Sequence, residues 1–177
     1  PVIAVRHCIN MGQGAALQTG TEIALKRGAE YVIHFDGDGQ HQLSDIPRLL
    51  ALVKTGNIDI ALGSRFLQEK DSRAVPRGKR LLLKGAVLVN TILTGVRLTD
   101  AHNGLRALTA EAAKRIRIRE NRYAHASEIL LYIRELKLNY EECPTHIRYP
   151  ASSLKKGQSG WNAINILFEL LIKKLFG

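Results

Sequence analysis

The sequence predicts an α/β fold with a mostly parallel sheet flanked by helices. Strand-like and helix-like segments alternate through the first half, and helical stretches of about 12 residues separate the strands, as crossover connections require. A chain of 177 residues with 45% hydrophobic side chains is long and apolar enough to form one core.

The elements of the first half follow from apolar spacing and from turn residues. Short apolar, β-branched runs predict strands over residues 2–5, 31–35 and 58–62. Helical spacing predicts a helix over 12–26, with Gly28 where its C-cap would lie, and a second helix from Ser44 with Pro47 in its first turn.

The second half departs from this alternation. Its segments are predicted as a loop over 67–80, a helix over 83–93, a turn over 99–106, helices over 110–116 and 127–136, a strand over 140–149 and a loop over 151–160.

The last segment, residues 161–176, is apolar except for one narrow polar stripe (Asn162, Asn165, Glu169, Lys173). A helix of this length is about 24 Å long, too short to span a bilayer. It is predicted either to lie in a membrane interface or to dock on the domain or a partner. The predicted units are therefore residues 1–159 and an amphipathic helix over 160–177.

Charge is distributed unevenly. Residues 1–75 hold 8 basic and 8 acidic side chains, and residues 76–177 hold 18 basic and 8 acidic, which accounts for the net charge of +10. Such an excess fits nucleic acid, an anionic membrane surface or a phosphate-bearing substrate. Cys8 and Cys143 lie in apolar, strand-like settings, which predicts buried, reduced thiols and a reducing compartment.

The strongest local motif is Asp36-Gly37-Asp38-Gly39-Gln40, directly after the predicted strand over 31–35. Ligands bind beyond the carboxyl ends of parallel strands. Two carboxylates and an amide oxygen are hard ligands for Mg²⁺ or Mn²⁺, whose shell substrate phosphates often complete. An ordinary acidic turn is the alternative.

Three further motifs contain candidate binding or catalytic groups. Gly12 and Gly14 lie where the first predicted strand turns into its helix, where backbone amides attract phosphate, although a tight turn would need the same glycines. Arg65 ends the third predicted strand and could contact phosphate or remain solvated. Asp100 could be a general base, an acceptor-orienting carboxylate or a capping residue in a loop.

These motifs, in this order, resemble the inverting family 2 glycosyltransferases of GT-A fold, and most closely their dolichol-phosphate-mannose-synthase-like, polyprenyl-phosphate branch. The resemblance continues through Asn103-Gly104-Leu105-Arg106, Ser127-Glu128 and Pro144-Thr145-His146-Ile147-Arg148-Tyr149, to Lys156-Gly157-Gln158-Ser159.

The resemblance implies a role for each matching residue. Asp36, Asp38 and Gln40 would hold Mg²⁺ or Mn²⁺ on the donor diphosphate. Arg65 would face the donor phosphates with the Gly12–Gly14 turn, and Asp100 would lie beside the acceptor. Acceptor phosphate would meet a set of basic side chains: Arg77, Arg80, Arg148 and Lys156. The family also begins with a strand and an Asp-rich nucleotide-binding segment, which are expected upstream of Pro1.

The expected activity is metal-dependent transfer of a sugar from a nucleoside-diphosphate sugar to a polyprenyl phosphate. The expected location is cytoplasmic, peripheral on the inner face of the cell membrane, with no nucleic acid partner. Two alternatives stay open: transfer to a glycan hydroxyl in cell-envelope polysaccharide synthesis, and a non-catalytic basic module that binds membrane or nucleic acid.

Overall fold

The computed structural model describes residues 2–68, 77–100, 103–121 and 124–148. Helices in these ranges are α1 (Gln13–Lys26), α2 (Ile46–Lys54), α3 (Arg77–Thr94), α4 (Ala110–Arg115) and α5 (His125–Glu135). The strands are β1 (Tyr31–His34), β2 (Ile60–Ser64), β3 (Arg106–Thr109) and β4 (Tyr140–Pro144), and a short 3₁₀ helix, Leu43–Asp45, precedes α2.

The four described strands form one sheet in the order β1-β3-β2-β4. β2 and β4 pair in parallel, whereas β3 pairs antiparallel with both β1 and β2. Three of these strands therefore run in one direction and β3 runs against them. The α/β fold class is confirmed, with the difference that β1 and β2 are separated by a strand that the sequence did not predict.

Helices cover both faces of the sheet. On one face, Val32, Ile60, Leu62 and Leu108 form a core with apolar side chains of α1, α4 and α5. On the other face, α2 contributes Leu49 and Val53, which are 0% and 1% exposed, to a smaller core. Burial of these apolar surfaces is what holds the three layers together.

Several predicted elements are confirmed. α1, α2, β1, β2, α4 and α5 lie within a few residues of their predicted positions. Gly28 follows the C-cap Arg27 with φ 80°, a conformation that favours glycine. Pro47 lies in the first turn of α2, as predicted.

The first strand prediction was wrong. Residues 2–5 form neither helix nor strand, because they pair with no strand of the described sheet, and Val2 is 98% exposed. Cys8, three residues further along the chain, is exposed rather than buried, whereas Cys143 is buried in β4 as expected.

Other boundaries also differ. Residues 77–80, predicted as loop, form the first turn of α3, and the predicted turn over 99–106 ends one residue early because Arg106 begins β3. β4 ends at Pro144, and beyond it one isolated bridge joins Ile147 to His41. The predicted amphipathic helix over 160–177 and the loop before it lie outside the described residues.

Candidate functional site

Chain direction brings the predicted residues to one edge of the sheet. β1, β2 and β4 run the same way, so Asp36, Arg65 and Arg148 all follow strand ends at this edge. β3 runs the opposite way, and so residues 103–105 enter the sheet from the same edge. A strand that sequence reasoning missed therefore contributes to the site.

Asp36 lies at the centre of this edge. Its Oδ1 accepts a hydrogen bond of 2.7 Å from Nε2 of Gln13, and its Oδ2 lies 3.7 Å from Nε2 of His41. Gly104 lies against the same carboxylate, since a Cβ there would be 2.0 Å from Oδ2 of Asp36. Three chain segments thus fix the position of one carboxylate.

The surroundings of Asp36 favour its ionised form. The neighbouring imidazole of His41 contributes most to lowering the pKa of Asp36, and the charges of Arg106 and His125 lower it further, against an opposing effect of burial. Its side chain is 27% exposed, so the carboxylate still reaches solvent.

Arg106 is the buried cation behind this carboxylate. Burial lowers its pKa to about 10, against the opposing charge of Asp36, so it stays protonated near neutral pH. It pairs across the sheet with His34, whose pKa falls to about 3 through burial and the charges of Arg106 and His125. His34 is therefore neutral, and its Nε2 lies 3.0 Å from Oγ1 of Thr21.

Asp38 and Gln40 complete the turn. Asp38 is exposed, and its Oδ1 accepts a 3.0 Å hydrogen bond from the amide of Gln40. Gly39 has φ 76°, which lets the turn close. The carbonyl of Gln40 in turn accepts a 2.9 Å bond from the amide of Arg148. The acidic turn is therefore joined to the chain that follows β4.

Arg148 lines a cleft next to this turn. The cleft has a volume of about 340 Å³, and its lining residues are Gly39, His41, Gln42, Leu43, Ser44 and Arg148. Arg148, which is predicted to bind the acceptor phosphate, therefore lines the same cleft as Gly39 of the predicted metal-binding turn.

A buried carboxylate anchors the chain that carries Arg148. Asp45 is 0% exposed, and its Oδ2 accepts a 2.7 Å hydrogen bond from the amide of His146, while Oδ1 lies 3.0 Å from Nδ1 of His146. Arg48 also pairs with Asp45. Burial raises the pKa of Asp45, but the hydrogen bonds from His146 and Arg48 outweigh this effect and leave the pKa lowered.

Arg65 and Asp100 form an ion pair. Nε of Arg65 lies 2.6 Å from Oδ2 of Asp100, and Nη2 lies 3.0 Å from Oδ1. Their side chains are 8% and 0% exposed. Both predicted roles, on donor phosphate and beside the acceptor, require these buried groups to become accessible, and they remain predictions.

Two residues for which the sequence predicts no role hold Asp100. Glu142, on β4, accepts hydrogen bonds from the amides of Thr99 and Asp100, and burial raises its pKa despite these bonds. Asn103 donates a 3.0 Å bond to Oγ1 of Thr145 and lies 3.5 Å from Oδ2 of Asp100. The alternation of β4 was the only signal in the sequence that placed Glu142 on a defined face.

The amides at the start of α1 already have partners. Gly12 donates a 3.0 Å bond to Oδ1 of Asn10, and Gly14 donates a 3.0 Å bond to the carbonyl of Asn121. A Cβ on Gly14 would lie 1.9 Å from the carbonyl oxygen of Glu120, so this glycine permits the close approach of that loop. The phosphate contact predicted for this turn would have to exchange these bonds.

The remaining predicted residues are less defined. Arg77 and Arg80 lie on the first turn of α3, although the side chain of Arg77 is outside the described part of the structure. Lys156 is also outside the described residues. Within the described ranges, no cluster of three or more His, Cys, Asp or Glu side chains could hold a metal ion by itself.

Comparison with known proteins identifies the family. The glycosyl transferase family 2 model matches residues 1–117. The chain belongs to glycosyl transferase family 2. This glycosyltransferase is 32% identical over 176 residues to a UDP-N-acetylglucosamine–dolichyl-phosphate N-acetylglucosaminyltransferase of Methanococcus voltae, covering 98% of the chain and 70% of that protein.

Two further proteins are similar to the chain, one in sequence and one in fold. A dolichol-phosphate mannosyltransferase of Pyrococcus furiosus is 28% identical over 173 residues, which is 97% of the chain and 48% of that protein. A glucosyl-3-phosphoglycerate synthase of Mycobacterium tuberculosis, solved with UDP, matches with TM-score 0.59 and 16% identity, over 95% of the chain and 56% of that structure. This last likeness confirms the GT-A fold, and the family 2 glycosyltransferase spans just over half of the solved structure.

Proposed function

We propose that this glycosyltransferase transfers a sugar from a nucleoside-diphosphate sugar to a polyprenyl phosphate, with inversion and with Mg²⁺ or Mn²⁺ at the acidic turn. The family membership carries the reaction class. The choice of acceptor rests on one observation in the structure, supported by the names of the relatives from M. voltae and P. furiosus, both of which act on dolichol-type phosphates.

That observation is the hydrogen bond between the carbonyl of Gln40 and the amide of Arg148. It holds a cationic side chain beside the turn that carries Asp36 and Asp38, with a cleft of about 340 Å³ between the two segments. A guanidinium suits a phosphate oxygen pair. The arrangement therefore supports a donor at the acidic turn and a phosphate acceptor at Arg148.

The acidic turn fits a divalent cation whose coordination shell is completed by substrate phosphates. Asp36 is held ionised and partly exposed, and Asp38 is exposed on the same turn. Two carboxylates with the amide oxygen of Gln40 would form an incomplete oxygen shell, which is the way Mg²⁺ binds with substrate phosphates. A cation held there would stabilise the negative charge of the departing diphosphate.

The neighbouring residues would serve the donor by position. Gln13 and His41 hold the carboxylate of Asp36, and Gly104 leaves space for it. Arg106 supplies positive charge from behind, which favours the ionised carboxylate. These residues would thus pre-orient Asp36 toward the donor without reorganisation at the moment of reaction.

The enclosed state of Asp100 favours a phosphate acceptor over a glycan hydroxyl. A hydroxyl nucleophile needs a base within hydrogen-bond reach, and the only base predicted for that role is buried in the ion pair with Arg65. A phosphate monoester is already ionised near neutral pH and needs no base. In this proposal Asp100 fixes Arg65, and the phosphate oxygen attacks the anomeric carbon as the diphosphate leaves from the opposite side.

A lipid acceptor requires the enzyme at a bilayer, and we propose a peripheral position on the inner face of the cell membrane. None of the helices that the structure describes is both long and apolar enough to cross a membrane. The basic surplus of residues 77–122, with 11 basic and 3 acidic side chains, supports attraction to anionic lipid.

The test is a transfer assay with radiolabelled UDP- and GDP-sugars, Mn²⁺ and undecaprenyl phosphate. Undecaprenol, which lacks the phosphate, and a soluble oligosaccharide serve as matched acceptors. We expect a labelled lipid product only with the phosphate. Label on the oligosaccharide and none on the lipid would instead favour the glycan-hydroxyl activity.

A further inference from the structure

The helix α3 exposes large apolar side chains on its outer side, in addition to those that it buries against the domain. Its buried face includes Asn90 and Thr94, each 1% exposed, whereas Leu81, Leu88 and Ile92 are 76%, 62% and 68% exposed. A surface helix of a water-soluble domain normally presents its apolar face to the core. The outer face of α3 is therefore not adapted to water.

Two buried side-chain donors of α3 bond to carbonyl groups of the same helix. Nδ2 of Asn90 donates a 3.1 Å bond to the carbonyl of Ala86, and Oγ1 of Thr94 donates a 2.7 Å bond to the carbonyl of Asn90. The same inner face also buries Ala86 and Leu93, and Val87 packs against the main core, so this face of α3 is the one that contacts the domain. The exposed leucines and isoleucine are then left for an outside partner.

The exposed apolar residues form one stripe. Leu81, Leu88 and Ile92 are spaced seven and four residues apart, so they lie on the same side of the helix. Gly85 lies between them and has open space around it, and Lys84 is exposed beside it. We call Leu81, Lys84, Gly85, Leu88 and Ile92 the outer face of α3.

Charge distinguishes the possible partners of this face. The sequence of α3 contains four basic residues (Arg77, Lys79, Arg80, Lys84) and no acidic residue. A second copy would bring these positive charges together. Residues 151–177 are also net positive, with four Lys and one Glu. An anionic bilayer surface complements both the apolar stripe and the charge.

We propose that the outer face of α3 is the surface by which this protein contacts an anionic membrane. The helix would lie parallel to the bilayer, with Leu81, Leu88 and Ile92 entering the acyl boundary and Lys84 reaching the headgroups. This inference rests on the proposed function insofar as a lipid acceptor requires such a contact. Asp100 follows the end of α3 by only six residues, so membrane contact is close to the Arg65–Asp100 pair along the chain.

Co-sedimentation of the full chain with phosphatidylcholine vesicles, with and without phosphatidylglycerol, tests the proposal. The vesicles contain no polyprenyl phosphate, so binding does not depend on the acceptor. We expect salt-sensitive binding to the anionic vesicles and a loss of at least about tenfold in Leu88→Ser/Ile92→Ser, since each change removes a large apolar side chain from the contact.

Matched variants distinguish binding through this face from nonspecific binding of the protein to vesicles. Ile9→Ser removes a side chain that is 73% exposed elsewhere and should leave binding unchanged, as should Lys54→Gln on α2. Lys84→Gln should weaken binding to the anionic vesicles alone. Equal binding by wild type and Leu88→Ser/Ile92→Ser, or an equal loss in Ile9→Ser, would overturn the proposal.

A fluorescent probe identifies what covers the face. An environment-sensitive dye on Leu88→Cys, in a Cys8→Ser background that removes the exposed thiol, should shift to the blue only when anionic vesicles are added. A blue-shifted spectrum without vesicles, whether or not it depends on protein concentration, would assign the face to the chain itself or to a second copy. Calorimetric binding of the donor should stay the same in every variant, and absence of donor binding in wild type would count against the proposed function alone.

Discussion

The side chains of Arg65 and Asp100 form a doubly bonded ion pair that is shielded from water, with N–O distances of 2.6 and 3.0 Å. Arg65 directly follows β2, and Asp100 lies six residues before β3. The pair therefore joins these two segments at the edge of the sheet where the candidate site lies. The amide of Arg65 also donates to Oδ2 of Asp100 at 3.2 Å. The pair thus fixes backbone as well as side chain.

Removal of one partner should cost more than removal of both. Asp100→Ala leaves a buried, uncompensated guanidinium, and we expect the free energy of unfolding in urea to fall by about 3–5 kcal/mol. The double variant Arg65→Met/Asp100→Ala should lose less than Asp100→Ala alone. Strictly additive losses across the cycle would show that the two side chains do not depend on each other.

Gly104 should be required for the position of Asp36 rather than for stability. In Gly104→Ala the added methyl group would lie 2.0 Å from Oδ2 of Asp36, so the carboxylate must move. A displacement of this size at a reacting centre should lower kcat/KM by on the order of 100-fold. Gly37→Ala is the matched control, because Gly37 is the residue after Asp36 and an added Cβ there would meet no atom within 4 Å. Equal activity in Gly104→Ala and Gly37→Ala would contradict this role.

Asp45 should stabilise the protein only above the pH at which it protonates. Its pKa in the folded protein lies below 3.8, so its contribution is present above that value and is lost as the pH falls through the lower, folded value. At pH 7 we expect Asp45→Asn to be less stable than wild type by about 1–3 kcal/mol, because the bonds from His146 and Arg48 are charge-assisted. Urea unfolding at pH 7 and under acid conditions measures the difference.

The two proteins should converge in stability at acid pH, and a difference that persists there would exclude ionisation of Asp45 as its origin. The same variant also tests the position of Arg148, two residues beyond His146. We expect the KM for the lipid phosphate to rise in Asp45→Asn while the KM for the donor changes little. Equal changes in both would indicate a general loss of structure.

Much of the fold was predictable because local signals agree with it. Pro47 and Gly28 mark helix ends by backbone geometry alone, and β1 and β2 are rich in apolar residues. β3 was missed because Arg106-Ala107-Leu108-Thr109 has little strand propensity by itself. It becomes a strand through pairing on both sides, at His34 and at Leu62.

The residues of the candidate site could be proposed from the sequence, but the contacts among them could not. Asp36, Asp38 and Arg148 were predicted from their motifs, and strand direction explains why they meet. The partnership of Arg65 with Asp100 was not predictable, because each residue alone fits a solvated loop. Asp45 and Glu142 carry no motif, and their roles depend on contacts with residues roughly 40 to 100 positions away.

The most direct test of the account compares wild type with Asp38→Ala in one transfer assay, using Mn²⁺, the donor that wild type accepts and undecaprenyl phosphate. Asp38 is exposed, so the variant should fold normally, which circular dichroism and urea unfolding verify. We expect a labelled lipid product from wild type, its loss on addition of EDTA, and none from Asp38→Ala. Equal product from both proteins would contradict a metal-dependent transfer at the acidic turn.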